Sequence, residues 1–177
     1  MNPTSIILHG PSSSGKSSLA KALQRLWPLP MPHVDLDAFE LMAEGTKLMT
    51  VAERREAFRV HCANLQATLR NIAATQFSLV LDFVLRDAQQ FANCLNALSS
   101  RSVHVIGVKC DLQSLEAREL QRGDRDIGLA RTQFGHSEYA RSYDQVVNTT
   151  TLSPDEGAQR IWNFVAAKQS APAGKAR

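Results

Sequence analysis

The sequence predicts an α/β fold, a parallel sheet of about five strands with helices on both faces and a short arginine-rich lid. Three observations carry that prediction. The apolar run Ile6-Ile7-Leu8 leads through Gly10-Pro11-Ser12-Ser13-Ser14-Gly15-Lys16-Ser17 into Leu19, Leu23 and Leu26 at helical spacing, which is the order strand, phosphate loop, helix. Two later runs, Phe77 to Leu81 and Val103 to Val108, are apolar almost without alternation, as in parallel strands covered on both faces. Between the runs lie stretches with apolar residues every three or four positions, the period of a helix with one buried stripe.

The phosphate-loop reading rests on what the spacing G-x-x-x-x-G-K-S does. Gly10 and Gly15 let backbone N–H groups turn inward around a phosphate without interference from a Cβ. Pro11, Ser12, Ser13 and Ser14 complete the wall of that loop. Lys16 then reaches the outer phosphates of a nucleotide, and the Ser17 hydroxyl is suited to Mg2+. Ser17 and Ser18 open a helix whose first N–H groups add partial positive charge to the same anion. Strand, loop and helix together begin a P-loop NTPase or kinase-like sheet.

Length and charge narrow the class. The 177 residues, 44% of them hydrophobic, suffice for one such domain, expected over residues 1–168 with a disordered tail over 169–177. The formal charge of +3 equals the contribution of Lys168, Lys175 and Arg177; the 17 other basic residues balance the 17 acidic ones. That balance excludes a broad nucleic-acid footprint. Cys62, Cys94 and Cys110 are odd in number and far apart, which predicts neither a disulfide framework nor a zinc site and fits a reducing compartment. No apolar run approaches the roughly 20 residues of a membrane span, and the N-terminus lacks the pattern of a secretory leader. A cytoplasmic protein with no membrane partner is expected.

Along the chain, residues 5–9 form the first strand and 17–26 its helix. Pro28, Pro30 and Pro32 stop any helix and deliver an extended connection into the short strand His33-Val34-Asp35. Asp35 and Asp37 therefore fall at the carboxyl edge of the sheet, where open α/β folds place ligands. Phe39 to Thr50 reads either as a mobile flap over an acceptor pocket or as a loop plus a helix end whose Met42 and Met49 fill core space. Phe58, Cys62, Leu65, Leu69 and Ile72 predict one long helix from Val51 to about Thr75. The strand ending in Asp82 offers a carboxylate to Mg2+ or its waters near Ser17.

A helix over 86–98 turns Phe91, Leu95 and Leu98 inward, and 103–108 is a further buried strand. Asp111 caps the next helix, whose far end carries Arg118, Arg122 and Arg125, with Gly123 permitting the chain to turn. Three guanidiniums so close to a polyphosphate site read as a lid, since arginine stays charged and forks onto phosphate oxygens. A last strand over 144–149 and a helix opened by the capping box Ser153-Pro154-Asp155-Glu156, carrying Ile161, Trp162 and Val165, complete the domain.

With these segments in view the chain resembles the chloramphenicol phosphotransferase-like family of small P-loop kinases. The matching stretches are Ile6 through Ser17, the Val34-Asp35 pair after the proline-rich connection, Leu81-Asp82-Phe83-Val84, and Gly107-Val108-Lys109-Cys110-Asp111 running to Gly123-Asp124-Arg125. The resemblance implies transfer of the γ-phosphoryl group of ATP, with Mg2+, to a hydroxyl of a small molecule, as in chloramphenicol 3-O-phosphotransferase. It puts the proton-accepting base on Asp35, the phosphate contacts on Gly15, Lys16 and Ser17, and the lid on Arg118, Arg122 and Arg125. Asp37 and Asp82 stay as competing bases, with Asp82 read first as part of the metal's surroundings. Between Asp35 and the long helix the chain is shorter than the family's antibiotic-phosphorylating member, so the transfer machinery carries over better than the acceptor. A kinase for another metabolite or for a nucleotide, and a nucleotide-binding regulatory module, are the alternatives. The sequence does not indicate an oligomeric state.

Overall fold

Strands that are apolar on both sides need cover on both faces, and the sheet is built accordingly. The computed structural model describes residues 2–42, 49–84, 88–123, 127–135 and 142–170. Its five strands, β1 (Thr4–His9), β2 (His33–Asp35), β3 (Leu79–Phe83), β4 (Ser102–Lys109) and β5 (Gln145–Asn148), are all parallel and lie in the order β2-β3-β1-β4-β5. β1, the strand that feeds the phosphate loop, is therefore central. Seven helices complete the described residues: α1 (Lys16–Leu26), α2 (Leu36–Glu40), α3 (Val51–Ala73), α4 (Ala88–Ala97), α5 (Leu112–Arg122), α6 (Leu129–Phe134) and α7 (Pro154–Ser170).

Alternation along β1 divides the interior into two cores. Ile6 and Leu8 face α1 and α7, where Leu19, Leu23, Ile161 and Val165 are buried with Val80, Ile106 and Val108. Ile7 faces the other way, into Leu79 and Leu81 with Leu65 and Leu69 of α3 and Phe91 and Cys94 of α4. The expected stripe on α3 is present: Phe58, Cys62 and Ile72 pack, half-buried, beside Leu65 and Leu69. All three cysteines are free thiols, and burial, with Cys62 nearby, pushes the Cys94 thiol up to about 12, so it stays protonated as a small apolar filler.

Local chemistry sets the helix ends. Thr50 and Glu53 form a capping box at the start of α3, and Ser153 with Glu156 forms the expected one at α7. Asp111 caps α5, accepting from the Ser114 N–H at 2.7 Å, and Gly123 closes that helix.

Several expectations are corrected. The stretch after Asp35 begins with the helix α2, because the Asp35 carboxylate takes the Ala38 N–H and starts a turn there. Met42 is 75% exposed, so it fills no core space, and residues 43–48 lie outside the described residues. The short helix α6 was not expected. α7 runs to Ser170, so Gln169 is helical rather than part of a tail, and its side chain exchanges two hydrogen bonds with the backbone of Asn2. Residues 171–177, the rest of the expected tail, lie outside the described residues.

Leu69 is fully buried between α3 and the sheet. Leu69→Ala is expected to destabilise the protein by about 2–5 kcal/mol, the range for a leucine side chain removed from a close-packed core. Urea unfolding followed by circular dichroism checks this, and a loss below about 1 kcal/mol would show that α3 is not packed as described.

Candidate active site

Gly10 to Ser17 join the central strand to α1 as a tight loop whose shape leaves little choice of residue. A Cβ on Gly10 would lie 2.3 Å from the Val108 carbonyl oxygen on β4, a backbone atom that cannot swing away. Gly15 sits at φ +90° and Ser13 at φ +61°, both in the left-handed region. Gly10, Pro11, Ser12, Ser13, Ser14 and Lys16 are buried, whereas Ser17 and Ser18 lie at the exposed start of α1.

The hydroxyls of Ser12, Ser13 and Ser14 are buried and have no hydrogen-bond partner among the described residues. Buried polar groups ordinarily find partners, so three such hydroxyls in consecutive residues are an observation in need of one. Phosphate oxygens are acceptors that such hydroxyls can serve. Lys16 Nζ, which donates to the Pro11 carbonyl at 2.9 Å, adds the charge such a ligand needs. The loop thus fits the polyphosphate of a nucleotide.

Beneath the loop lies Asp82, at the carboxyl end of β3 and 8% exposed. Ser17 Oγ donates to its Oδ2 at 2.5 Å, and Lys16 Nζ stands 3.9 Å from its Oδ1. His33 Nε2 is 3.7 Å from Oδ2, an electrostatic contact too long for a hydrogen bond. Burial pushes the Asp82 carboxyl up, but the Lys16 charge, together with Ser17 and His33, outweighs burial and holds it below its ordinary value. Asp82 is therefore a carboxylate. Two hard oxygens, on Ser17 and Asp82, meet beside the loop, which fits Mg2+, an ion that takes one or two protein oxygens and completes its shell with phosphates and water.

Asp35 pairs in register with Asp82 across β2 and β3, so the two carboxylates stand on neighbouring strands at the same level of the sheet edge. They do different work. Asp82 is committed to Ser17 and Lys16, whereas Asp35 is only partly buried and uses one oxygen, Oδ1, to accept from Ala38 N–H at 2.6 Å. Asp37 follows in the first turn of α2.

Of the lid arginines, Arg118 is anchored to the sheet edge. It donates from Nη1 to Thr149 Oγ1 at 3.1 Å and to Cys110 Sγ at 3.3 Å, and from Nη2 to the Thr149 carbonyl at 2.8 Å. Its Nη1 would lie 3.6 Å from a Cβ on Gly15, so the guanidinium is beside the phosphate loop. Arg122 is exposed one turn further along α5, and Arg125 lies outside the described residues.

Two residues were missed by sequence reasoning. Thr149 follows β5, and its hydroxyl donates to the Ser14 carbonyl at 2.7 Å while accepting from Arg118, so it ties loop and arginine together. Gln133 on α6 accepts the Ser12 N–H through Oε1 at 2.6 Å. Neither carries a local signal, since each acts on a loop more than a hundred residues earlier.

A phosphate loop on the central strand, with a lysine, a serine and a buried aspartate converging beneath it, defines the P-loop kinase class of fold. The same architecture is found in the shikimate kinase of Acinetobacter baumannii in complex with shikimate, with 17% identity, a TM-score of 0.69 and 96% of each chain covered. The APS kinase of Mycobacterium tuberculosis in complex with AMPPNP and APS gives a TM-score of 0.68 at 17% identity, covering 93% of this chain and 98% of that one. The chain belongs to the chloramphenicol phosphotransferase-like family, whose model matches residues 4–166. A proposed O-phosphotransferase of Mycobacterium tuberculosis is 26% identical over 178 aligned positions, covering 88% of this chain and 79% of that relative. Among the described residues no helix is long and apolar enough to cross a membrane.

The depressed Asp82 carboxyl makes a pH prediction. A group whose pKa is lower folded than unfolded stabilises the fold above its unfolded value and loses that contribution as pH falls through the folded one. Thermal unfolding between pH 7 and pH 2.5 is expected to show a steeper acid loss below about pH 4 for the wild type than for Asp82→Asn. Parallel acid limbs would place the acid sensitivity elsewhere.

Proposed function

We propose that the protein is an ATP-dependent kinase that transfers the γ-phosphoryl group to a hydroxyl of a small molecule. The observation that carries the reading is the pairing of two carboxylates with different duties at one sheet edge: Asp82 bound to the loop's own Ser17 and Lys16, and Asp35 beside it with an oxygen to spare. Family membership and the kinase fold support it.

ATP supplies the phosphoryl group, and Mg2+, when bound, would offset its charge. The transferred group is loosely bonded in the transition state, so the protein's share is positioning and charge stabilisation. Lys16 turns its ammonium from the Pro11 carbonyl to the phosphate oxygens, and the buried serine hydroxyls and loop N–H groups hold them. Ser17 and Asp82 would hold the metal. Arg118, fixed by Thr149 beside Gly15, adds positive charge without having to be ordered first, and Arg122 and Arg125 close over the nucleotide as its lid. Asp35 orients the acceptor hydroxyl and takes its proton as the oxygen bonds to phosphorus and the bond to the departing ADP breaks. At the far end of α2, the helix that Asp35 caps, Leu41 and Met42 are 81% and 75% exposed, an apolar surface suited to an acceptor with an apolar body such as chloramphenicol.

Purified protein incubated with Mg-ATP and chloramphenicol is expected to yield, by mass spectrometry, a product heavier by one phosphoryl group, with Lys16→Ala as the blank. A product seen only with other alcohols would keep the kinase and change the acceptor. Saturable ATP binding with no acceptor turned over would move the weight to a nucleotide-binding regulatory role. Asp35→Asn is expected to bind ATP normally and transfer roughly 10²-fold more slowly or worse, the scale of a lost general base; an unchanged rate would remove Asp35 from that role.

A further inference from the structure

One N–H of the phosphate loop is held by a side chain from outside the loop. Ser12, 2% exposed, donates its backbone N–H to Gln133 Oε1 at 2.6 Å, across 121 residues of sequence. Gln133 is delivered there by a firm mount. Glu119, 2% exposed on α5, accepts from the Gly128 N–H and the Ala130 N–H at 2.8 Å each and so fixes the start of α6. Arg131 on α6 also meets Glu116 of α5 at 2.6 Å. The helix that carries Arg118 and Arg122 thus carries α6 and its glutamine as well.

We propose that Gln133 is a nucleotide-binding residue that changes from acceptor to donor when a polyphosphate enters the loop. This rests on the nucleotide-binding reading above. Loop N–H groups serve phosphate oxygens, so a bound phosphate and the Gln133 carbonyl seek the same Ser12 N–H. A carboxamide resolves that competition in place. Half a turn about its last bond exchanges the carbonyl for an NH2 group, which donates to the phosphate oxygen that now holds Ser12. Glutamate keeps the reach and the acceptor but has no hydrogen to give and repels the anion; leucine has neither acceptor nor donor. Gln133 therefore ties α6, and through Glu119 the arginine helix α5, to the occupied loop.

Calorimetric titration with Mg-ATP, in the absence of any acceptor, tests this on the full chain. Wild type is expected to bind, and Lys16→Ala to bind far more weakly. Gln133→Glu, which can still hold the Ser12 N–H and is expected to melt within a few degrees of wild type, should bind Mg-ATP about tenfold or more weakly, the scale of one hydrogen bond to a charged group together with repulsion. Gln133→Leu should bind about threefold or more weakly. A Gln133→Glu protein that binds within twofold of wild type would overturn the proposal, leaving Gln133 as a brace for α6, and weakening confined to Gln133→Leu would do the same. Saturable, Lys16-dependent binding in wild type with no effect of either Gln133 variant defeats this inference alone, whereas no binding in wild type defeats it together with the kinase reading.

Discussion

The structure around the nucleotide loop depends on keeping one buried carboxylate charged. Moving a carboxylate out of water costs several kcal/mol unless partners compensate, and Asp82 is 8% exposed. Its partners are the residues that the loop must present: Ser17 by a direct hydrogen bond, Lys16 at 3.9 Å. Those contacts make the loop and the third strand mutually dependent. β3 must lie beside β1 for the pair to form, and the register Leu8 with Asp82 places the carboxylate on the α1 side of the sheet. Strand order and loop chemistry are thus two consequences of one placement.

That placement was legible early because its causes are local. The loop spacing names the glycines and the lysine, and an apolar run ending in aspartate names Asp82. β2 at His33–Asp35 and the ends of α5 follow from prolines, a capping aspartate and a closing glycine, all visible in the sequence. The start of α3 was legible too, in Thr50-Val51-Ala52-Glu53, although the apolar stripe alone drew attention. α2 and α6 were not. Helices of five and six residues are too short to show a period, and each is held by a carboxylate, Asp35 within α2's own cap and Glu119 from a different helix.

The site divides along the same line. Lys16, Ser17 and Asp82 meet as their residue types suggest. What sequence could not supply is how distant segments close around them. Thr149 reaches Ser14 because β5 lies two strands from β1, and only that order brings the end of the chain's last strand to its first loop. One hydroxyl then serves three elements: it donates to Ser14, accepts from Arg118, and lies 3.2 Å from the Lys109 carbonyl at the end of β4. Such a role is a property of topology rather than of any motif.

α5 illustrates how a charged helix can be fixed from two sides at once. Near its middle, Arg118 is bound to Thr149 on one side, while the neighbouring Glu119 grips the start of α6 on another. Adjacent residues on a helix point about 100° apart, so the same turn faces both the loop's flank and the segment that follows it. Arg118 cannot shift without disturbing Thr149, and α6 cannot shift without disturbing Glu119. Beyond Glu119 the helix ends on exposed residues, Leu120, Gln121 and Arg122. Positive charge beside Gly15 is thereby set in place by the fold, on the same helix that holds α6 and its glutamine against the loop.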